Sequence, residues 1–237
     1  MSEPVDILDV LPPGPYDEAG YDRLNRRQES LEATCVPDSY RSLLDIAPPE
    51  GRREKLNDLL INSEVDVVIL TDDCVCQAAG WIERFQGAKA MLPRAGILCG
   101  KVSEPGDDGP VLRSAGYDLL TGGGLVFPWA GRPDPGTLDY AREVAAVNLV
   151  GCYLTREFLD DVGRLDLALP EVGGDGPELA LRAWRASWRV WYVPGPHLLR
   201  DAPEEPVTGA TWGYLLERYT HPFYEHIRRD KLSVVAR

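Results

Sequence analysis

Val65-Asp66-Val67-Val68-Ile69-Leu70 is almost wholly β-branched or aliphatic and runs into Thr71-Asp72-Asp73-Cys74. A short apolar run without polar alternation suits a strand buried on both faces, as in a parallel sheet covered by helices. Its surroundings agree. Leu56, Leu59 and Leu60 recur at helical spacing in Arg52–Asn62, Trp81 and Phe85 stand four apart in a helix expected over Gln77–Met91, and Ala95–Val102 reads as the next strand. Strands alternating with helices of this length predict an α/β fold with a mixed, mostly parallel sheet.

The same reasoning extends outward. Val5–Leu11 is a short strand stopped by Pro12-Pro13-Gly14-Pro15, and Asp17 to Glu32 is helical. Ala33-Thr34-Cys35-Val36 is expected as a second buried strand and Arg41–Ile46 as a third. Glycine and proline crowd Pro105–Pro135, which predicts loops and short hairpin strands around Ala115-Gly116-Tyr117. Beyond it come an apolar strand at Ala145–Tyr153, helices at Thr155–Val162 and Leu179–Ser187, a strand from Trp188 to Val193 closed by Pro194, and an amphipathic helix over Thr211–Arg229. No repeat, low-complexity tract or linker interrupts residues 1–237, so one domain is expected.

Subtracting 38 acidic from 25 basic side chains leaves a charge of −13, which disfavours direct nucleic-acid binding. No stretch has the roughly 18 to 20 apolar residues of a membrane helix, and Met1–Asp9 does not have the form of a leader. A cytoplasmic protein is expected. Its five cysteines are scattered and odd in number, which predicts reduced, mostly buried thiols. Cys74-x-Cys76 lacks the second pair that a zinc site needs.

Two acidic groups stand out. Asp72-Asp73 follows the central strand, at the sheet edge where open α/β folds bind ligands, and adjacent carboxylates there can hold a divalent cation; a solvated Asp turn explains the pair equally. Asp175-Gly176-Pro177-Glu178 precedes an apolar-periodic helix. It offers a general base if the loop aims a carboxylate into a cleft, and it is also a helix-capping pattern. His197, His221 and His226 form no recognisable pair with a nucleophile. Gly122-Gly123-Gly124 and Gly173-Gly174 match no phosphate-cradling motif, and Trp184, Trp188 and Trp191 are expected in the core.

Taken in series, these segments resemble family-2 glycosyltransferases, particularly the bacterial rhamnosyltransferase-like and O-antigen types, over roughly Arg52 to Asp201. The resemblance is carried by Arg52-Arg53-Glu54-Lys55-Leu56-Asn57-Asp58-Leu59-Leu60, by Val67-Val68-Ile69-Leu70-Thr71-Asp72-Asp73-Cys74-Val75, and by Gly80-Trp81-Ile82. Further on it is carried by Ser114-Ala115-Gly116-Tyr117, Arg142–Val147, Arg156–Gly163 and Trp188–Pro194.

This resemblance implies a GT-A fold, with residues 1–104 binding a nucleotide-sugar, 105–201 supplying the acceptor and catalytic half, and 202–237 a helical tail. It implies a divalent cation, Mn²⁺ or Mg²⁺, and an inverting transfer in which a carboxylate deprotonates an acceptor hydroxyl. Asp72 matches the first metal-binding Asp, with Asp73 beside it, while Asp38 and Asn57 take nucleotide-binding positions. Three departures accompany the likeness. The second metal position falls on Cys74, a soft ligand; the usual base position falls on Gly176, leaving Asp175 or Glu178; and the family's late His falls on Arg200, which can neutralise a diphosphate directly. Two readings follow. One is a glycosyltransferase, the other a glycosyltransferase-like protein that binds a nucleotide, a glycan or a partner without catalysis.

Overall fold

Every second residue of the central strand turns to the same side, and both sides are dry. The computed structural model describes residues 4–11, 18–35, 40–46, 51–70, 74–119, 124–200 and 209–219. In chain order these form β1 (Val5–Leu11), α1 (Glu18–Thr34), β2 (Tyr40–Ile46), α2 (Arg52–Asn62), β3 (Val67–Ile69), β4 (Cys74–Cys76), α3 (Trp81–Met91) and β5 (Ala95–Glu104). There follow β6 (Val111–Ser114), β7 (Asp118–Leu119), β8 (Leu125–Val126), β9 (Arg142–Glu143), β10 (Cys152–Leu154), α4 (Arg156–Val162), α5 (Asp175–Arg185), β11 (Arg189–Arg200) and α6 (Gly209–Arg218).

Val67 and Ile69 of β3 pack with Leu56 and Leu60 of α2, Phe158 of α4 and Leu179 of α5. Val68 and Leu70 pack on the other face with Leu31 of α1 and with Trp81 and Phe85 of α3. The period of two in a strand produces this split, and it accounts for the unbroken apolar run. The main sheet has the order β2-β1-β3-β10-β5-β11-β4, with β6 on β5 and β9 on β11. β1 pairs parallel with β2 and β3, and β11 with β5, while β10 runs against both β3 and β5. It follows that β1, β2, β3, β5 and β11 share one direction. The chain is a single α/β domain with a mixed, mostly parallel sheet between helices, and no helix among the described residues is long and apolar enough to cross a membrane.

Four expectations need correction. Ala33–Cys35 does not begin a strand: α1 runs to Thr34, whose Oγ1 donates to the carbonyl of Ser30, and Cys35 N donates to the carbonyl of Leu31. Cys35 is buried because the Trp81 indole N–H donates to its sulfur at 3.2 Å, so its apolar context reflects helix packing rather than a sheet. The strand expected over Ala145–Tyr153 shortens to Cys152–Leu154, since Gly151 turns through φ +66° and Ala146 bridges to Tyr117 instead. The helix after the central strand begins only at Trp81, behind Gly80 at φ +67°, and leaves Cys74–Cys76 to form an edge strand.

The fourth correction bears on the site. β11 does not stop at Pro194 but continues to Arg200, past Pro194 and Pro196. Its register against β5 shifts between Tyr192 and His197, with Gly195 at φ +109°, and such an irregularity tolerates prolines that a regular ladder excludes. Arg200 thereby reaches the C-terminal edge of the sheet, opposite Cys74 of β4.

Candidate functional site

At that edge the parallel strands end, and the described residues line a cleft of about 80 Å³. Ile69 at the end of β3 forms its floor, Arg52 and Arg53 enter from the first turn of α2, Asp175 and Gly176 from the start of α5, and Arg200 from the end of β11. The enclosed space is below the roughly 300–1,000 Å³ of a typical small-molecule site, so the described walls accommodate one charged group of a ligand rather than a whole nucleotide-sugar. Position in the fold favours this cleft, because ligands of open α/β sheets sit beyond the carboxyl ends of the strands.

A larger hollow of about 390 Å³ opens at the opposite edge, beside Asp66. Its carboxylate already accepts from Lys89 Nζ at 2.9 Å, from the Arg156 backbone N–H at 2.8 Å and from the Tyr153 hydroxyl. Those bonds tie α3 and α4 to β10. Asp66 is a structural hub, and its size alone does not make the hollow a site.

Asp175 is the carboxylate of the cleft. It is 5% exposed, and its Oδ1 accepts from Arg53 Nε at 2.6 Å while Arg53 Nη1 donates to the carbonyl of Leu169 at 2.6 Å. Burial raises the carboxyl to about 7 against the pull of the Arg53 guanidinium, with the negative charge of Glu178 adding to the rise. A neighbouring arginine ordinarily lowers such a group; here desolvation exceeds the attraction. A carboxylate tuned near neutrality beside a cleft is suited to general-base work.

The capping reading of Asp175–Glu178 is not what the chain does. The residue before α5 is Gly174, with no side-chain cap, and Asp175 spends its carboxylate on α2 rather than on its own helix. Glu178 turns the other way. Only 1% exposed, it accepts from Arg182 Nε at 2.8 Å and from the hydroxyl of Tyr219, which pins α6 against α5. It is not part of the cleft lining.

Gly176 occupies the position where the resemblance puts a base, and the structure explains the glycine. A Cβ there would lie 2.2 Å from the carbonyl oxygen of Val147, inside backbone that cannot move aside like a side chain. No side chain fits, and the carboxylate next to it is the one that lines the cleft.

The remaining candidates divide. Asn57, 8% exposed, clamps Leu165, donating from Nδ2 to its carbonyl at 3.0 Å and accepting its N–H at 2.9 Å, away from the cleft lining. Arg200 lines the cleft. Asp38, Asp72 and Asp73 lie outside the described residues. Cys74, in the second metal position, is fully buried at 0% exposure, and Arg200 is its register partner across the strand pair. Among the described residues no three His, Cys, Asp or Glu side chains come together as a metal group. A buried thiol and an arginine are not the hard oxygen donors that Mg²⁺ or Mn²⁺ prefers, so the described side chains do not fit such a cation.

Sequence reasoning passed over Arg52 and Arg53 as chemistry. A signal was present, because two arginines in the first turn of a helix oppose its dipole, an arrangement that local helix energetics disfavours. It also read His197 as unpaired with any nucleophile, whereas Ser103 Oγ lies 2.8 Å from its Nε2. Ser103 is 2% exposed on β5 and stands in register with Leu199 of β11, so the pair is a strand-to-strand hydrogen bond.

No family model matches the chain, and no curated protein matches it in sequence. Among solved structures it is similar to GalNAc-T7 crystallised with UDP, GalNAc and Mn²⁺, with a TM-score of 0.63 at 12% identity, covering 94% of this chain and 49% of that one. The chain thus spans about half the length of that protein. At this identity the likeness shows the fold alone, and the fold is GT-A-like.

Proposed function

We propose that the protein transfers a sugar from a nucleoside-diphosphate donor to an acceptor hydroxyl, as an inverting enzyme of the family-2 type. The observation that carries this reading is Asp175, a buried carboxylate raised to about 7 that lines a cleft at the carboxyl edge of a GT-A-like sheet. In the reaction the Asp175 carboxylate takes the proton of the acceptor hydroxyl while that oxygen bonds to the anomeric carbon. The bond from this carbon to the donor phosphate breaks with its electron pair leaving on the nucleoside diphosphate, and this single displacement inverts the anomeric centre. Arg53 holds the carboxylate in orientation, and its charge keeps the ionised form accessible near neutral pH.

The divalent cation implied by Asp72 and Asp73 supplies no step here, because the described side chains of the cleft, three arginines and one carboxylate, do not fit one. The five buried cysteines, none in a disulfide, agree with a cytoplasmic setting. A second reading, nucleotide binding without transfer, is favoured by Gly176, where no side chain has room.

The test is incubation of the full chain with a panel of nucleoside-diphosphate sugars and hydroxyl acceptors, with release of nucleoside diphosphate as readout. Release from at least one donor, abolished by Asp175→Asn, is the expected result. Tight nucleotide binding with no donor consumed establishes the second reading instead.

A further inference from the structure

We propose that Arg52, Arg53 and Arg200 form a cradle that takes the diphosphate of the donor directly, without a bridging cation; this rests on the transfer reading above. The described cleft carries three guanidinium groups against one carboxylate, in a chain whose overall charge is −13. Among the described residues that local reversal attracts an anion.

The arginine geometry is specific. Two of the three guanidinium nitrogens of Arg53 are engaged, Nε by Asp175 and Nη1 by the carbonyl of Leu169. The third, Nη2, is buried with no hydrogen-bond partner among the described residues. A buried N–H donor left unmade is costly, and in a cleft open to solvent it marks where a ligand oxygen belongs. Arg52 stands in the same helical turn and lies close enough to act electrostatically on Asp175. Placing both at the positive end of α2 opposes the helix dipole, so the local energetics of that helix does not account for them. Arg200 arrives from the far side, carried there by the bulged passage of β11 past its two prolines.

Planar guanidinium groups bind phosphate oxygens in pairs of parallel hydrogen bonds, and they keep their charge at any working pH. As the sugar–phosphate bond breaks, the electron pair left on the diphosphate meets fixed positive charge. The small described cleft fits this assignment, since it has to take the phosphate end of the donor rather than the nucleoside.

The experiment is calorimetric titration of the full chain with inorganic pyrophosphate and with UDP, first in EDTA and then in Mn²⁺. Binding is expected in EDTA, with affinity changed less than about twofold by Mn²⁺ and falling as salt rises. Arg200→Gln and Arg52→Gln should each weaken it by about tenfold or more, the loss of one hydrogen bond to a charged group. Matching thermal midpoints separate this from misfolding, and because the two substitutions sit on different elements, one suffices if the other does not fold. Binding that needs Mn²⁺, no binding in either condition, or EDTA binding indifferent to both substitutions overturns the cradle. Sugar transfer that demands Mn²⁺ sinks the cradle and leaves the transfer reading standing. Cation-independent binding weakened by both substitutions, with no donor consumed, does the reverse.

Discussion

Replacing Asp175 by asparagine keeps the shape of the side chain and the oxygen that accepts from Arg53, and removes only the titration. The magnitude follows from the raised carboxyl. A rise from the ordinary 3.8 to about 7 corresponds to about 4 kcal/mol at about 1.4 kcal/mol per pH unit, as an upper bound for a 5% exposed group. The sign is that of an acid whose folded form holds its proton longer than the unfolded chain does. Wild-type stability therefore declines as pH rises from about 4 to about 7 and is level outside that window. Between pH 5.5 and 7, clear of the isoelectric point near 4.7, about 2 kcal/mol of that decline is accessible. Asparagine does not titrate, so its thermal midpoint gains on the wild type across this interval by roughly 4 to 8 °C. Scanning fluorimetry of both proteins at half-unit steps measures it without a known substrate. In the same variant, transfer should fall by about 10²- to 10⁴-fold, while wild-type turnover rises with pH through about 7. A variant that loses stability relative to wild type as pH rises refutes the reasoning, because the Arg53 ion pair would then outweigh burial.

Three further outcomes follow. Glu178→Gln removes the charge from a buried contact with Arg182 and Tyr219, and urea denaturation should show a loss of about 2 kcal/mol, with activity per folded molecule retained. Gly176→Ala forces a Cβ toward the Val147 carbonyl at 2.2 Å; overpacking of this kind costs about 1–3 kcal/mol, and the shift it imposes on Asp175 should lower turnover more than it lowers pyrophosphate affinity. Asn57→Ala leaves both backbone groups of Leu165 unpartnered and should cost about 2 kcal/mol in chemical denaturation; a drop in pyrophosphate affinity alone would return Asn57 to the ligand.

The central strand, the helices at Arg52–Asn62 and Thr155–Val162, and the α/β class were legible because each depends on a local period matched to burial on one face or two. Where propensity and pattern agree within a dozen residues, the chain needs no distant partner to declare its element. The errors fell where a distant partner decides. Cys35 is apolar in context because of Trp81, and Pro194 ends no strand because a register shift against β5 absorbs it.

The candidate base divides in the same way. Its sequence neighbourhood holds two carboxylates three apart on one helical turn, and nothing local distinguishes them. Residues far away in the chain do: Arg53, 122 positions before Asp175, draws it into the cleft, and Tyr219, 41 positions beyond Glu178, closes over the other. Residue order sufficed for the alternation of strands and helices, the acidic balance and the presence of two carboxylates three apart at the start of α5. Folding in three dimensions selected which carboxylate is desolvated without being sealed, and brought three arginines from α2 and β11 together beside it. Desolvation and charge proximity are properties of space, set by packing between segments, and the order of residues along the chain does not carry them.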